Sequence, residues 1–238
     1  MSNSSNLANT KVKHFYGRRK GHALSSRQDR LLASTLPKYS VNIDADQTAD
    51  IDTDALFSRK NAPLWLEIGF GKGEHIYAQA EANPNVNFIG CEPFVNGVVG
   101  LLDKLSEHKQ ENIRIYPDDA RDVLARLPSG SVERLFLLHP DPWPKNKHEK
   151  RRFVSQENLK NMARVMKDGA ELRIGTDHFN YARWTMFQMH LTPFFKWDAQ
   201  SADDWRVRPE DWPETRYQQK ALQDGVNSVY LSFNRVDR

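Results

Sequence analysis

The sequence predicts an α/β protein, a Rossmann-like doubly wound fold whose mostly parallel sheet ends in an antiparallel strand pair. Three observations carry that prediction. From about residue 62 onward, short apolar runs alternate with stretches of helical spacing, the order that builds a parallel sheet with helical crossovers. The first run, Leu64 to Ile68, passes into the glycine-rich turn Gly69-Phe70-Gly71-Lys72-Gly73 and then into a helix, an arrangement that brings backbone N–H groups close to a nucleotide-like ligand. Near the C-terminus, Val229 to Phe233 alternates apolar and polar residues, as an antiparallel strand does.

Each element then has its own signal. The glycine turn opens a helix at about Glu74, and Asn83-Pro84 ends it, because proline disfavours helical backbone in the residue before it. Asn87 to Glu92 reads as the second strand. Val98, Leu101, Leu102 and Leu105 recur at helical spacing within residues 94–108. Ile113 to Tyr116 is the third strand, and Asp122 to Leu127 a short helix. Leu135 to Leu138 is an unbroken apolar run, as in a strand buried on both faces. A helix over about 155–167 carries Leu159, Met162, Ala163 and Met166 on one face, and Gly169 stops it. Glu171 to Ile174 is the fifth strand. Phe179 to Leu191 is a helix, and a further strand lies near 194–199.

The strand at Leu135 stops abruptly at Pro140-Asp141-Pro142-Trp143-Pro144-Lys145. Prolines at alternate positions cannot donate ladder hydrogen bonds and hold φ near one value. A stiff loop therefore presents one carboxylate, Asp141, and one large π-face, Trp143, at the carboxyl end of a strand, where open α/β sheets bind ligands. Trp143 is placed either to stack on a ligand or to pack into the core. Lys145, Lys147, His148, Lys150, Arg151 and Arg152 follow at once, as phosphate contacts or as a solvated basic face.

Charge is informative through its clustering, since the net charge of the 238 residues is only +3. Residues 11–30 hold Lys11, Lys13, Arg18, Arg19, Lys20, Arg27 and Arg30 against Asp29 alone, whereas residues 44–54 hold five aspartates and no base. Two basic blocks beside aromatics point to a polyanionic partner such as nucleic acid. The first is an arm that lies on RNA or a tail that wraps the domain. Residues 1–32 read as a basic, partly disordered arm, residues 33–61 as an irregular lead-in with one short helix, and residues 62–238 as the domain proper. A single cysteine, Cys91, excludes an intrachain disulfide and a cysteine-based metal site. No apolar run is long enough to span a membrane, and the polar N-terminus lacks a signal-peptide core, so a cytoplasmic protein is expected, monomeric or homodimeric and without a metal.

Glu67, Glu92, Asp119 and Asp141 all fall at strand carboxyl ends and should share one rim. Glu92 is positioned to accept from ribose hydroxyls, and Asp119 from an adenine amine. The Gly-x-Gly-x-Gly spacing departs from the dinucleotide pattern. A rim of carboxylates repels phosphates and suits a cationic nucleoside such as S-adenosylmethionine.

On these motifs a resemblance is plain. Glu67-Ile-Gly-Phe-Gly-Lys-Gly-Glu-His75, Gly90-Cys-Glu-Pro-Phe94, Pro140 to Lys145, Lys150-Arg-Arg-Phe153, Thr176-Asp177 and Asp211-Trp-Pro-Glu-Thr-Arg-Tyr217 resemble the bacterial tRNA (guanine-N7-)-methyltransferases, over roughly residues 14–235. The resemblance implies a class I methyltransferase fold and methylation of N7 of a guanine in the tRNA variable loop. It implies that Glu67, Gly69, Gly71, Glu92, Asp119 and Asp141 meet S-adenosylmethionine and that Asp141 is the catalytic residue. Lys145, Asp177, Thr215, Arg216, Tyr217 and Gln218 are the implied tRNA contacts. His139 stands where the family more often has phenylalanine, and either packs on its strand or touches substrate. Gln218 stands where glutamate is usual, which keeps an acceptor oxygen and loses the charge. Asp177 serves guanine recognition, the N-cap of the helix after it, or both. Trp205, Trp212 and Tyr217 stack bases or brace the long C-terminal loop.

Three other functions compete. One is a Rossmann methyltransferase acting on another RNA or on a small molecule, and a small-molecule enzyme would have no need of the basic segment 145–152. A non-catalytic RNA-binding protein would have no use for four unpaired acids. A nicotinamide oxidoreductase is disfavoured by the glycine spacing.

Overall fold

The computed structural model describes residues 16–43, 49–213, 225 and 227–237. Ser25 opens the first helix, α1 (Ser26–Ser34), with a reciprocal capping box through Gln28. Two short turns of helix follow, α2 (Leu36–Tyr39) and α3 (Thr53–Leu56). The alternation then runs β1 (Leu64–Ile68), α4 (Glu74–Ala82), β2 (Asn87–Cys91), α5 (Val95–Glu107), β3 (Ile113–Tyr116), α6 (Ala120–Arg126) and β4 (Val132–Leu138). After a 3-10 segment at Asn146–Arg151 come α7 (Gln156–Val165), β5 (Met166–Thr176), α8 (Phe179–His190), β6 (Phe195–Trp197), α9 (Asp203–Arg206) and β7 (Val229–Arg235).

Among the described residues the sheet orders its strands β3-β2-β1-β4-β5-β7-β6. The first five are parallel, and β7 runs antiparallel between β5 and β6. The doubly wound expectation with a terminal antiparallel pair is therefore met. Strand order reverses between β1 and β4, so their carboxyl ends form the crevice where such sheets bind ligands.

Both faces of the sheet are covered. Leu66, Ile68, Leu135 and Leu137 bury one face with Leu124 of α6, Leu159 and Met162 of α7 and Tyr181 of α8. Phe88, Ile113 and Ile115 bury the other with Leu31 of α1, Ile76 of α4 and Leu101 and Leu102 of α5. Past β4 no helix among the described residues contributes to the cluster on this second face. Trp212, fully buried, fills that place against Phe136, Leu138 and Tyr230. It lies so close to Gly175 that a Cβ there would come within 3.0 Å of the indole. Trp212 is thus a brace and does not stack bases, while Trp205 packs half-buried on the first cluster.

Several boundaries move. Helix α7 ends at Val165, and Met166 begins β5, which carries Gly169 at φ +77° inside the strand. Gly169 therefore does not stop the helix. Apolar residues at 162, 163 and 166 fit either element, and the parallel pairing of Val132 with Met166 decides for strand. The lead-in is more ordered than expected. Val41 and Phe57 are buried core residues. The described part of the basic arm wraps the domain: Val95 N–H donates to the Arg19 carbonyl, Gly21 N–H to Asn96 Oδ1, and Arg19 pairs with Asp118 at 2.8 Å.

Candidate active site

The site grows from the turn after β1. Gly69, Gly71 and Gly73 take φ of +75°, +57° and +73°, left-handed backbone that costs an L-residue about 1–2 kcal/mol. Gly73 N–H closes the turn on the Phe70 carbonyl, and α4 starts there. Helix α5 presses in from the side. A Cβ on Gly97 would stand 2.4 Å from the Gly71 carbonyl oxygen, so only glycine lets helix and turn approach this closely.

Glu92, just past β2, accepts from Gly71 N–H at 2.7 Å and Phe94 N–H at 2.9 Å. Burial is the larger effect and raises its carboxyl to about 7 despite those two donors. Glu67 is 3% exposed and lies 2.7 Å from His75 Nδ1. Asp119 caps α6 through Arg121 N–H and pairs with the Arg121 guanidinium. Asp141 sits on the proline loop beyond β4, where partial burial raises its carboxyl and no hydrogen bond or ion pair joins it to any described residue. The expectation of four unpaired acids therefore narrows to one: Glu67, Glu92 and Asp119 are each engaged by the scaffold.

The loop that carries Asp141 is held under strain. His139 and Trp143 take φ of +48° and +40°, a region non-glycine residues seldom enter and that is found at functional sites. Arg152, only 6% exposed, staples the loop by donating to the Pro142 and Trp143 carbonyls, both at 3.1 Å. Arg152 is thus a structural cation, where the sequence suggested a phosphate contact. The Trp143 ring meets His148 edge-on at 5.7 Å, and the Arg151 guanidinium lies 4.9 Å from it and 5.0 Å from the Tyr16 ring.

A cavity of about 530 Å³ opens at these strand ends, within the usual range for small-ligand sites. Glu67, Gly69, Gly71, Glu92, Asp119 and Asp141 all line it, with His139 and Trp143 at the loop and Tyr16, Gly17 and Arg18 from the arm. Lys145 and Asp177 lie outside its lining. Asp177 does not cap α8, whose N-cap His178 is held instead by Thr176 Oγ1. Its carboxylate stands 3.7 Å from His139 Nδ1. His139 stays joined to β5 through its N–H on the Gly175 carbonyl, with burial lowering its pKa and Asp177 opposing that shift. Thr215, Arg216, Tyr217 and Gln218 lie outside the described residues. The acid-lined crevice suits a cationic nucleoside, whose hydroxyl and amine donors and positive charge carboxylates would favour.

Sequence reasoning missed His75 and Arg121 as parts of this site. His75 was visible only as a position in a motif, and no spacing rule links it to Glu67 across a turn.

The sequence matches a family described as putative methyltransferase over residues 61–231. It is 46% identical over 230 residues to a tRNA (guanine-N(7)-)-methyltransferase of Rhodospirillum rubrum, covering 96% of this chain and 90% of that one. It is 46% identical to the protein of the same description from Zymomonas mobilis, over 94% of this chain and 95% of the other. In fold it is similar to a 16S rRNA methyltransferase, KamB, with a TM-score of 0.56 at 18% identity over 84% of this chain and 99% of that one. An antibiotic-related methyltransferase aligns at a TM-score of 0.53 and 16% identity, over 85% and 98%.

Proposed function

Because the chain belongs to the tRNA (guanine-N(7)-)-methyltransferase family, we propose that it transfers a methyl group from S-adenosylmethionine to N7 of a guanine in the tRNA variable loop. The observation that carries this reading is the cavity at the β1–β4 switch. One end has a glycine turn and a ribose-type acid, Glu92, and the mouth has a carboxylate, Asp141, with no partner among the described residues, beside exposed lysines.

When bound, S-adenosylmethionine supplies an electrophilic methyl on a sulfonium. Glu67, Glu92 and Asp119 would hold it, with Gly69 and Gly71 lining its seat. Guanine N7 has a lone pair and no proton, so no general base is needed, and attack in line with the methyl proceeds by positioning. Positive charge then develops on the guanine imidazole. Asp141 opposes that charge from a fixed, partly desolvated position, an electrostatic role that involves no proton transfer. Asp177 accepts from guanine N1–H and the exocyclic amine, which distinguishes guanine from adenine, and His139 at 3.7 Å orients it. N7 faces the narrow major groove of an A-form helix, so the enzyme takes a loop guanine or one turned out of its stack. Lys145, with Lys147 and Lys150, contacts the phosphates.

The test is methyl transfer from labelled S-adenosylmethionine to tRNA, followed by nucleoside analysis. 7-Methylguanosine is the expected product. Asp141→Asn should lower kcat by about 10²-fold while leaving the fold intact. Nearly full activity of Asp141→Asn across pH would remove the electrostatic role. Cofactor binding with no altered tRNA nucleoside would overturn the substrate.

A further inference from the structure

We propose that His75, Gln79 and Asn83 form a buried positioning chain that ties Glu67 in the cofactor cavity to Asp211, making cofactor and tRNA bind cooperatively. This inference rests on the substrate reading above. The three residues stand at i, i+4 and i+8, so they form one stripe along α4 and just past its end. His75 and Gln79 are 2% and 3% exposed, so every polar atom they carry needs a partner.

The hydrogen bonds fit together in only one direction. Asn83 Nδ2 donates to the Gln79 backbone carbonyl at 2.9 Å and to Gln79 Oε1 at 3.3 Å, which fixes which way both amides face. Gln79 Nε2 then points the other way, donates to the Asp211 carbonyl and lies 3.5 Å from His75 Nε2. With a donor facing it, His75 Nε2 is an acceptor, and its proton belongs on Nδ1, which donates to Glu67 Oε2 at 2.7 Å. Breaking one link leaves a donor facing a donor, or a buried acceptor with no partner.

The far end of the chain is held by ion pairs on a half-exposed side chain. The Asp211 carboxylate meets Arg173 at 2.9 Å and Arg134 at 3.4 Å. Trp212 is fully buried beside the His75 ring, 6.1 Å away. Asp211 and Trp212 open the block that, by resemblance, leads to the tRNA contacts. A ligand that draws on the Glu67 carboxylate therefore also acts on the backbone from which that block departs.

The experiment measures the dissociation constant of S-adenosylhomocysteine, the demethylated cofactor, with and without saturating tRNA. Wild-type protein should show a ratio of at least about fivefold, and Gln79→Met should bring it below about twofold. Methionine keeps the volume and removes the amide. A residue with only a structural role would lower Tm and weaken each ligand alone while leaving the ratio unchanged, so an unchanged ratio in Gln79→Met overturns the proposal. If that variant does not fold, half-buried Asn83→Ala must lower the ratio instead, because it frees the Gln79 amide to turn; a wild-type ratio there overturns the proposal too. A ratio near one in the wild-type protein, with 7-methylguanosine still formed, overturns the coupling and spares the substrate reading. A normal ratio without 7-methylguanosine does the reverse.

Discussion

Glu92 is a buried carboxylate whose two N–H donors do not compensate fully for lost solvation, and its carboxyl stands at about 7. The folded chain therefore holds this proton more tightly than the unfolded chain does. The contribution of Glu92 to stability is greatest while it is protonated and falls as pH rises from the ordinary carboxylate range through about 7. A cationic nucleoside with hydroxyl donors prefers the carboxylate, so cofactor binding expels the proton. Cofactor affinity should rise about tenfold per pH unit below 7 and level off above it. Calorimetry at pH 6 in buffers of different ionisation enthalpy should record proton release, which Glu92→Gln abolishes; a flat affinity between pH 5.5 and 8 would rule the linkage out. The position of Glu92 was legible in the sequence because an acid at the end of a second strand has a chemical use there. Its pairing was not. Which N–H groups meet it depends on the left-handed turn at Gly71. Likewise His75 and Glu67 are brought together by a strand, a turn and the first turn of a helix, and no periodicity records that contact. His139 shows the same limit, since its positive φ and its nearness to Asp177 have no signal in the spacing of residues.

At the scale of elements, α5 is legible from its apolar spacing, but its closeness to the glycine turn is not. A Cβ on Gly97 would stand 2.4 Å from the Gly71 carbonyl oxygen and 3.2 Å from Glu92 Cγ. The obstacle is backbone, which cannot rotate aside as a side-chain end can. Gly97→Ala should therefore lift the start of α5, lower stability by about 1–3 kcal/mol and weaken cofactor binding with it. Thermal melts and a cofactor titration check this, and an alanine variant with unchanged Tm and affinity would show that the two elements can separate freely. The glycine looked like one more residue in a helix because propensity rules assign it a cost and no use. The α7–β5 boundary was misjudged for a related reason. Met162, Ala163 and Met166 are apolar in either period, and the choice between them was made by pairing with Val132, a partner distant in sequence.

For the whole molecule, a net charge of +3 is too small to steer a polyanion by itself. What acts is the distribution of charge around the cavity mouth. Counting basic residues in the sequence overstates that distribution. Arg19 is paired with Asp118, Arg27 with Asp103, Arg152 is folded under the proline loop, and Arg151 lies between two rings. Exposed Arg18 and Lys150 line the cavity, and exposed Lys145 and Lys147 adjoin it. If those four cations each meet a phosphate, the logarithm of tRNA affinity should fall against the logarithm of salt concentration with a slope of at least about 3 in magnitude. Lys147→Ala should lower that magnitude by about 0.8, uniformly across tRNA sequences, because a phosphate contact carries no base information. Fluorescence anisotropy over a salt series measures both values. A slope below about 1 would mean that tRNA is held by shape and base contacts, with the basic segment serving only to fix the loop of Asp141.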